Sequence, residues 1–332
     1  MNLLHLLTGG YRRKLLCTLP AAIGMTALLS TTPAQAAEVI PATTDPDLSP
    51  MEPDRDGTVI APEGYRLVWS DEFNTKGKRR PNSKFWTPEN GFTRNQEMQW
   101  YQLKNAYVTG GRLVIEGRKE KFRNPHFEEG SKNWKTNRRY VEYTSCSLIT
   151  QGKFSARYGI FEARVRFNPT TGMWPAFWTL GVKETWPSCG EIDILEYYRE
   201  KYLTNLCWGT AQKWVGHWSS QTKALSKCLE KDPQWAKKFH TFRLVWDEEY
   251  ARIYIDDELI NETNITSTNN GRYDEVKNPF HQPHYIILNL ALGANGGSLE
   301  NLKFPARYEV DFVRVFQKID CPKSNFTIGK TR

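Results

Sequence analysis

The segment GEIDILE, residues 190–196, places three acidic and three aliphatic side chains after one glycine. Successive side chains of a β-strand point to opposite faces, so Glu191 and Asp193 share one face and the two isoleucines share the other. Glu196 is out of phase by one residue. A β-bulge at Ile194-Leu195 would absorb that residue and return Glu196 to the face of Glu191. The segment therefore predicts a strand with one buried face and three acids together on the other.

The chain around this segment consists mainly of short runs rich in Val, Ile, Tyr, Phe and Trp. Residues 161–167, FEARVRF, alternate apolar and charged side chains, which is typical of an antiparallel strand with one face inward. Similar runs occupy Tyr65–Trp69, Arg112–Gly117, Glu191–Tyr197, His240–Trp246, Ala251–Ile255, Tyr285–Leu292 and Tyr308–Phe316. The best helix candidate is Pro233–Phe239. About twelve short strands without long helices predict an all-β sandwich or jelly roll, whose curved sheet can hold an extended ligand.

The acids also have a chemical meaning. Three carboxylates on one sheet face repel each other, and partial burial adds to this effect, so at least one should have a raised pKa. Glycoside hydrolysis requires two carboxyl groups in different protonation states. A solvated charged strand and a calcium-binding face are the alternatives. Tryptophans bracket the acids in the sequence, at Trp174, Trp178, Trp186, Trp208, Trp214 and Trp218. Because indole rings stack on sugars, this setting favours a carbohydrate cleft, although core packing is the simpler interpretation for Trp69, Trp178 and Trp246.

Several segments resemble glycoside hydrolase family 16. They are WSDEF at 69–73, NQEMQWY at 95–101, GMWPAFWTLG at 172–181, EIDILE at 191–196 and YEVDFVRV at 308–315. The E-x-D-x-x-E form, with its extra residue, is similar to the bulged branch of that family. This branch holds laminarinase-like β-1,3-glucanases, β-agarases, porphyranases, carrageenases and mucin endo-β-galactosidases. The likeness runs from about Tyr65 to Phe316.

The resemblance implies a concanavalin-like β-jelly roll with a concave substrate cleft. It also implies a secreted, retaining endo-glycoside hydrolase that cuts internal β-glycosidic bonds of a polysaccharide or glycan by double displacement. The candidate substrates are β-1,3-glucan and β-galactan, including mucin O-glycans. Carried onto this sequence, the resemblance makes Glu191 the nucleophile, Asp193 the assisting acid and Glu196 the acid/base.

Further site residues follow from the same resemblance and from the flanking aromatics. Asn95, Trp174 and Trp186 match cleft-lining positions of the family. Trp208, His217 and Trp218, which follow the acids, complete the substrate-binding candidates, although His217 is equally consistent with a surface histidine. No cofactor is expected for catalysis. Many relatives bind one structural calcium ion, and the matching donors are Glu72, the carbonyl of Gly111 and Asp311.

Two features depart from the family pattern. Laminarinase-like members often carry a histidine soon after the strand that follows the acids, and here Thr210-Ala211-Gln212 occupy that region. The insertion Phe122–Tyr140 is basic, with Lys132, Lys135, Arg138 and Arg139. It is either a solvated loop or an element that contacts sulfate groups, since Arg and Lys bind such anions well. Sulfate contact would favour a sulfated galactan or a mucin glycan.

The N-terminus has the pattern of a signal peptide over residues 1–36, with a basic start, an apolar stretch and Ala34-Gln35-Ala36 as the cleavage site. A membrane anchor is the alternative. We expect a linker at residues 37–62, a catalytic domain at 63–318 and a C-terminal tail at 319–332. The expected location is periplasmic or extracellular, with no membrane span after cleavage.

Charge and cysteine content limit the kinds of partner that we expect. Cleavage removes three of the 45 basic residues and none of the 37 acidic ones, which leaves 42 − 37 = +5. This mild charge, without a zinc-finger or helix-turn-helix pattern, does not indicate nucleic acid. We expect a monomer whose partner is an oligo- or polysaccharide. Five cysteines remain, and a disulfide between two of Cys189, Cys207 and Cys228 is the first pairing to test.

Two other functions share this pattern. A lectin-like carbohydrate-binding protein could have the same fold, but it need not keep both Glu191 and Glu196. A transglycosylase would use the same acids with a sugar as acceptor in place of water.

Overall fold

The computed structural model describes residues 59–273, 275–322 and 325–328. The predicted signal peptide and residues 37–58 of the predicted linker lie outside the described residues, so their boundaries stay predictions. No helix in the described ranges is long and apolar enough to span a membrane.

Nearly all regular structure in the described ranges is β. The strands are β1 (Tyr65–Asp71), β2 (Thr87–Pro88), β3 (Gln99–Tyr101), β4 (Ala106–Thr109), β5 (Arg112–Arg123), β6 (Tyr140–Ser145), β7 (Ser147–Ile149), β8 (Phe154–Ala156), β9 (Gly159–Phe167), β10 (Met173–Gly181), β11 (Glu191–Tyr198), β12 (Lys201–Gly209), β13 (Gly216–Ala224), β14 (His240–Trp246), β15 (Tyr250–Ile255), β16 (Glu258–Asn264), β17 (His284–Leu292), β18 (Ala306–Lys318) and β19 (Phe326–Ile328). An α-helix, α1, spans Leu225–Lys231, and 3₁₀ turns lie at Leu103–Asn105, Trp235–Lys237, Pro279–His281 and Ala294–Gly296. The predicted helix at Pro233–Phe239 is wrong, because that segment holds only a 3₁₀ turn and the α-helix precedes it.

The strands form two sheets. A ten-stranded sheet has the order β16-β15-β14-β9-β18-β5-β6-β3, with β1 added on β18 and β4 on β5. A nine-stranded sheet has the order β13-β12-β11-β10-β17-β7-β2, with β8 on β17 and β19 on β8. Hairpin-connected strands such as β10, β11 and β12 alternate with pairs that are far apart in sequence, such as β9 with β18 and β10 with β17, as in a jelly roll. This confirms the predicted all-β jelly-roll sandwich.

One apolar core fills the space between the sheets. Phe161 and Val165 enter it from β9, as the alternation in residues 161–167 predicts, and Ile192 and Leu206 enter it from the nine-stranded sheet. Trp69 and Trp246 lie in this core as expected. Trp178 instead belongs to a small separate cluster with Ala176, Tyr285 and Ile287 on the other face of the nine-stranded sheet.

All five cysteines in the described ranges are free thiols. The suggested disulfide among Cys189, Cys207 and Cys228 is therefore wrong for this structure. All three side chains are buried, and burial raises the pKa of each thiol. They contribute to packing without a covalent link between strands.

The outward face of the ten-stranded sheet contains a buried ion pair. Arg243 of β14 donates to Glu162 of β9 at 2.9 Å, and both side chains are at most 3% exposed. Arg314 of β18 lies 3.8 Å from the other oxygen of Glu162. A buried pair adds little stability as a whole, but the loss of one partner leaves a buried charge uncompensated.

Arg243→Met should lower the free energy of unfolding by about 3–5 kcal/mol, because it leaves the carboxylate of Glu162 without its main cation. Urea unfolding measures this change. Arg252→Met on the neighbouring strand β15 is the control, since Arg252 is 26% exposed and pairs with Glu262 at the surface. The control should change stability by less than about 1 kcal/mol. Equal effects of the two substitutions would contradict the assignment.

Candidate active site

Strand β11 carries its three acids on one face because it contains the predicted bulge. On β12, the partners of Asp193 and Glu196 are Asn205 and Leu203, so three steps on β11 match two steps on β12. The register with β10 shifts at the same place. Ile194 and Leu195, which take up the extra residue, both lie fully buried in the core. Glu196 thereby returns to the face of Glu191 and Asp193.

The glycine before the strand has a conformational reason. Gly190 has φ +78°, in the left-handed region that side chains other than glycine rarely adopt. A Cβ atom at this position would lie 2.7 Å from the Cβ of Pro279. Gly190 therefore lets the chain turn into β11 directly before Glu191.

The acids lie in a cavity of about 640 Å³ on the face of the nine-stranded sheet that is turned away from the core. Its walls come from β10, β11, β12, β13 and β17 and from a loop at residues 94–97. The lining residues include Arg94, Asn95, Glu97, Trp174, Trp178, Trp186, Glu191, Asp193, Glu196, Tyr198, Leu203, Asn205, Trp218, Ser220, Asn289 and Asn295. An apolar cavity with a few converging polar groups is the usual form of a ligand site.

Each acid has its own hydrogen-bond donors. The indole Nε1 of Trp186 donates to Glu191 Oε2 at 2.5 Å, and that of Trp174 donates to Glu196 Oε1 at 2.8 Å. Asn205 donates from Nδ2 to Asp193 Oδ2 at 2.9 Å and to Glu196 Oε2 at 3.0 Å. These bonds hold the carboxyl groups in fixed positions before any ligand arrives.

Burial and mutual repulsion separate the acids electrostatically. For Glu196, burial and then the negative charge of Glu191 raise the pKa to about 7. Burial and the two neighbouring charges raise the pKa of Asp193 well above its usual range. Burial also raises the pKa of Glu191, but hydrogen bonds from Trp186 and Asp193 and the positive charge of Arg94 oppose this rise. Glu196 is therefore the acid best able to exchange a proton near neutral pH, while Glu191 has a cation nearby.

The loop at residues 94–97 brings charge to the cavity. Arg94 pairs with Glu89, and its guanidinium carbon lies 5.2 Å from the ring centre of Trp178. Glu97 is buried and accepts hydrogen bonds from Gln99 at 2.6 Å and from Tyr101 at 3.1 Å. Burial raises the pKa of Glu97 above its usual value.

The structure brings most of the predicted binding residues together. Asn95, Trp174, Trp186 and Trp218 line the cavity with the three acids. Trp218 is 49% exposed, so its ring is available to a ligand. The catalytic and binding roles of these residues stay predictions.

Trp208 and His217, the other two substrate-binding candidates, are not among the residues that line the cavity. The two residues are opposite each other on β12 and β13. Alternation along β12 puts Trp208 on the same face as the core residue Leu206, and its side chain packs against the core. The centre of the His217 ring lies 5.6 Å from that of Trp208, so His217 is on the same side of the sheet as Trp208 and not on the side of the acids.

The predicted calcium donors do not fit a cation in this arrangement. Arg314 donates to both carboxylate oxygens of Glu72, at 3.0 and 2.8 Å, and Arg164 donates to Asp311 at 2.8 Å. Both carboxylates are therefore already paired with arginine. Within the described ranges, no group of three or more His, Cys, Asp or Glu side chains could hold a metal ion. The backbone carbonyl of Gly111 alone is a weak donor set for calcium.

Sequence reasoning missed several residues of the site, namely Arg94, Glu97, Tyr198, Asn205 and Asn289. The sequence could have predicted Asn205, because a hairpin from β11 to β12 places this polar side chain opposite Asp193. Asn289 had a weaker signal, since it interrupts the apolar run of β17 and accepts from Trp178 at 2.7 Å. Arg94 and Glu97 are in a loop without periodicity, so only the folded structure reveals them.

Comparisons with known proteins agree with this geometry. The profile described as Glycosyl hydrolases family 16 matches residues 92–313. A β-glucanase of Rhodothermus marinus is 32% identical over 274 residues, which cover 77% of this chain and 86% of the relative.

Solved structures of glycan-cleaving enzymes are also similar to this chain. One structure comes from work on endo-acting O-glycanases, which prominent members of the human gut microbiota express to initiate mucin breakdown. It superposes on this chain with a TM-score of 0.69 at 31% identity, and the match covers 78% of this chain and 93% of the other chain. The catalytic domain of an endo-1,3-β-glucanase (laminarinase) from Thermotoga petrophila has a TM-score of 0.63 and 29% identity, covering 77% and 99%.

A jelly roll with paired carboxyl groups in an aromatic cleft is typical of glycoside hydrolases. This chain belongs to glycosyl hydrolase family 16.

The carboxyl group of Glu196 should titrate near pH 7, because burial and the charge of Glu191 disfavour its ionised form. NMR of the protein with ¹³C-labelled glutamate side chains measures this titration. The signal should be missing in Glu196→Gln and present in Glu200→Gln, which changes an exposed residue in the turn after β11. Titration of every glutamate below about pH 5, near the unperturbed value, would contradict the electrostatic assignment.

Proposed function

We propose that this protein is a retaining endo-glycoside hydrolase, with Glu191 as the nucleophile and Glu196 as the general acid/base. The observation that carries the proposal is the pair of carboxyl groups that one bulged strand presents to one cavity in unlike environments. Retaining hydrolysis requires two carboxyl groups close together, one ionised and one protonated. The endo-acting relatives support cleavage at internal bonds.

In the first step Glu191 attacks the anomeric carbon of the sugar, and the bond to the leaving oxygen breaks. Glu196 gives its proton to that oxygen, so the leaving chain departs as an alcohol. In the second step Glu196, now ionised, takes a proton from water, whose oxygen attacks the anomeric carbon and releases Glu191. A pKa of about 7 suits Glu196 to both halves of this cycle.

Asp193 acts between the two glutamates. Its raised pKa favours a proton on Asp193 that it shares in hydrogen bonds with both neighbours, and these bonds lower their pKa values. Asn205 holds Asp193 and Glu196 from the next strand. Asp193 thereby reduces the repulsion between Glu191 and Glu196.

The aromatic residues have two functions in this proposal. The N–H groups of Trp174 and Trp186 orient the two glutamates, and their side chains form part of the cavity wall. The exposed ring of Trp218 provides an apolar surface on which a sugar can stack. A lectin-like protein would need the aromatic surface but not the division of proton states between the glutamates. Transglycosylation would use the same acids and is distinguished by its products.

For the substrate, we propose internal β-galactosidic bonds of mucin-type O-glycans. Two features support this choice over β-1,3-glucan. The likeness to the mucin-degrading O-glycanase structure has a TM-score of 0.69, against 0.63 for the laminarinase domain. In addition, the laminarinase-type histidine is absent from Thr210-Ala211-Gln212, and His217 does not replace it in the cavity. The β-glucanase relative keeps β-1,3-glucan as the second candidate.

The N-terminal pattern at residues 1–36 supports export of the enzyme to the periplasm or the extracellular space. Mucin glycans and cell-wall or storage glucans are too large to enter a cell intact, so an exported enzyme would meet either substrate.

Glu191→Gln and Glu196→Gln should each lower kcat by about 10³-fold or more, because each removes a partner in the two-step reaction. A reducing-end assay measures the loss, with Glu200→Gln as the active control. Azide should restore turnover to the alanine variants, with a β-glycosyl azide from Glu196→Ala and an α-glycosyl azide from Glu191→Ala. In the wild-type reaction, proton NMR should detect the β anomer first. The opposite azide products, or the α anomer first, would contradict the assigned roles.

A panel of laminarin, lichenan, agarose, porphyran, carrageenan and mucin O-glycans should identify the substrate. We expect oligosaccharides, measured by mass spectrometry, from mucin O-glycans. Glu191→Gln, tested on the same panel, excludes products of a contaminating enzyme. Products from laminarin alone would replace the mucin proposal with β-1,3-glucan and leave the mechanism intact.

A further inference from the structure

The rim of the cavity at residues 94–97 has an unusual backbone. Asn95 and Gln96 are consecutive residues with φ +54° and +53°. Non-glycine residues in this left-handed region cost about 1–2 kcal/mol each, so two in a row persist only where surrounding contacts hold them. Asn95 and the residues on either side of the kink, Arg94 and Glu97, all line the cavity.

Arg138 supplies such a contact. Its Nη1 donates to the backbone carbonyl of Glu97 at 2.6 Å, and its Nη2 donates to that of Gln96 at 2.9 Å. One rigid guanidinium thus binds two successive carbonyl groups of the kink, which fixes their direction better than a single flexible donor could. Within the described ranges Arg138 has no carboxylate partner, so its hydrogen bonds serve the rim and not an ion pair.

Arg138 comes from the insertion Phe122–Tyr140, 41 residues after Glu97. Its guanidinium lies 4.7 Å from the ring centre of Phe92 and 5.1 Å from that of Trp134. Asn124 donates to the carbonyls of Lys135 and Arg138 at 3.0 and 2.9 Å, which closes the base of the insertion. The insertion is therefore an ordered support for the guanidinium.

One further hydrogen bond spans the kink, from the N–H of Glu97 to the carbonyl of Arg94 at 3.2 Å, and the remaining bonds lie at the two ends of the rim. Arg94 is paired with Glu89 on one side, and the N–H of Met98 donates to Leu292 at 3.0 Å on the other. Asn95 is exposed, and its side chain has one long bond of 3.3 Å to Glu97. Its amide is therefore free to meet a ligand, but its position depends on the backbone beneath it.

We propose that Arg138 is a positioning residue that sets the cavity rim and so the contact between Asn95 and the glycan. The insertion was open to two interpretations, a solvated loop or a sulfate-binding element. Support of the rim by Arg138 is a third interpretation. No residue of 122–140 is among those that line the cavity. The effect on catalysis rests on the proposed glycosidase activity, whereas the effect on the rim does not.

Hydrogen–deuterium exchange tests the rim directly. Arg138→Ala should speed exchange in a peptide spanning residues 94–98 and leave a peptide from β11 unchanged. Arg138→Lys keeps the charge but not the paired donors, so it should give an intermediate rate. Arg139→Ala is the matched control, because Arg139 is 57% exposed and pairs with exposed Glu129 at 3.2 Å. Equal exchange in the Arg138→Ala and Arg139→Ala proteins would overturn the proposal.

Kinetics on the substrate that the panel identifies test the consequence. Arg138→Ala should raise KM about tenfold with little change in kcat, and Asn95→Ala should do the same. The double variant should be no worse than either single one, because both act through one contact. Additive effects, or a fall in kcat alone, would contradict positioning through Asn95. Absence of activity in the wild-type and Arg139→Ala proteins would instead refute the proposed function, and the exchange result would still stand.

Discussion

One extra residue in β11 determines where the acids of this protein point. Without the bulge, Glu196 would face the space between the sheets, where Ile192 and Tyr197 pack in the apolar core. A buried, unpaired carboxylate there would cost several kcal/mol. With the bulge, Ile194 and Leu195 both enter the core, and Glu196 joins the other two acids. The apolar side chains stabilise the sheet and aim the acids by the same placement.

The shared face would be of little use if the acids were alike. Glu191 has the indole of Trp186 and the nearby charge of Arg94, whereas Glu196 has Trp174, Asn205 and a repulsive neighbour in Glu191. The cavity wall strengthens these differences, because electrostatic effects grow as water is excluded. Fixed hydrogen bonds from neighbouring strands then keep each carboxyl group in place. Fold and electrostatics are thus joined through strands β10, β11 and β12.

The sequence predicts the parts of this protein that have periodicity. Alternation at 161–167 and the broken alternation at 190–196 were enough for the sheet, the bulge and the grouping of the acids. The same rule, not applied to β12, would have placed Trp208 in the core with Leu206. Contacts between distant segments have no such periodicity. The sequence therefore does not predict that Arg164 and Arg314 pair with Asp311 and Glu72, the two carboxylates expected to bind calcium. The hydrogen bonds from Arg138 to the rim are not predictable from the sequence for the same reason, because they join two loops that are distant in the chain.

The proposed mechanism requires that Glu191 become covalently linked to the sugar during turnover. A 2-deoxy-2-fluoro β-glycoside of the cleaved sugar, with an activated leaving group, slows the second step and lets the intermediate accumulate. Peptide mapping by mass spectrometry should find one glycosyl group per chain, on Glu191. A label on Glu196 or on any other residue, or steady hydrolysis without a label, would contradict the role of Glu191 as nucleophile.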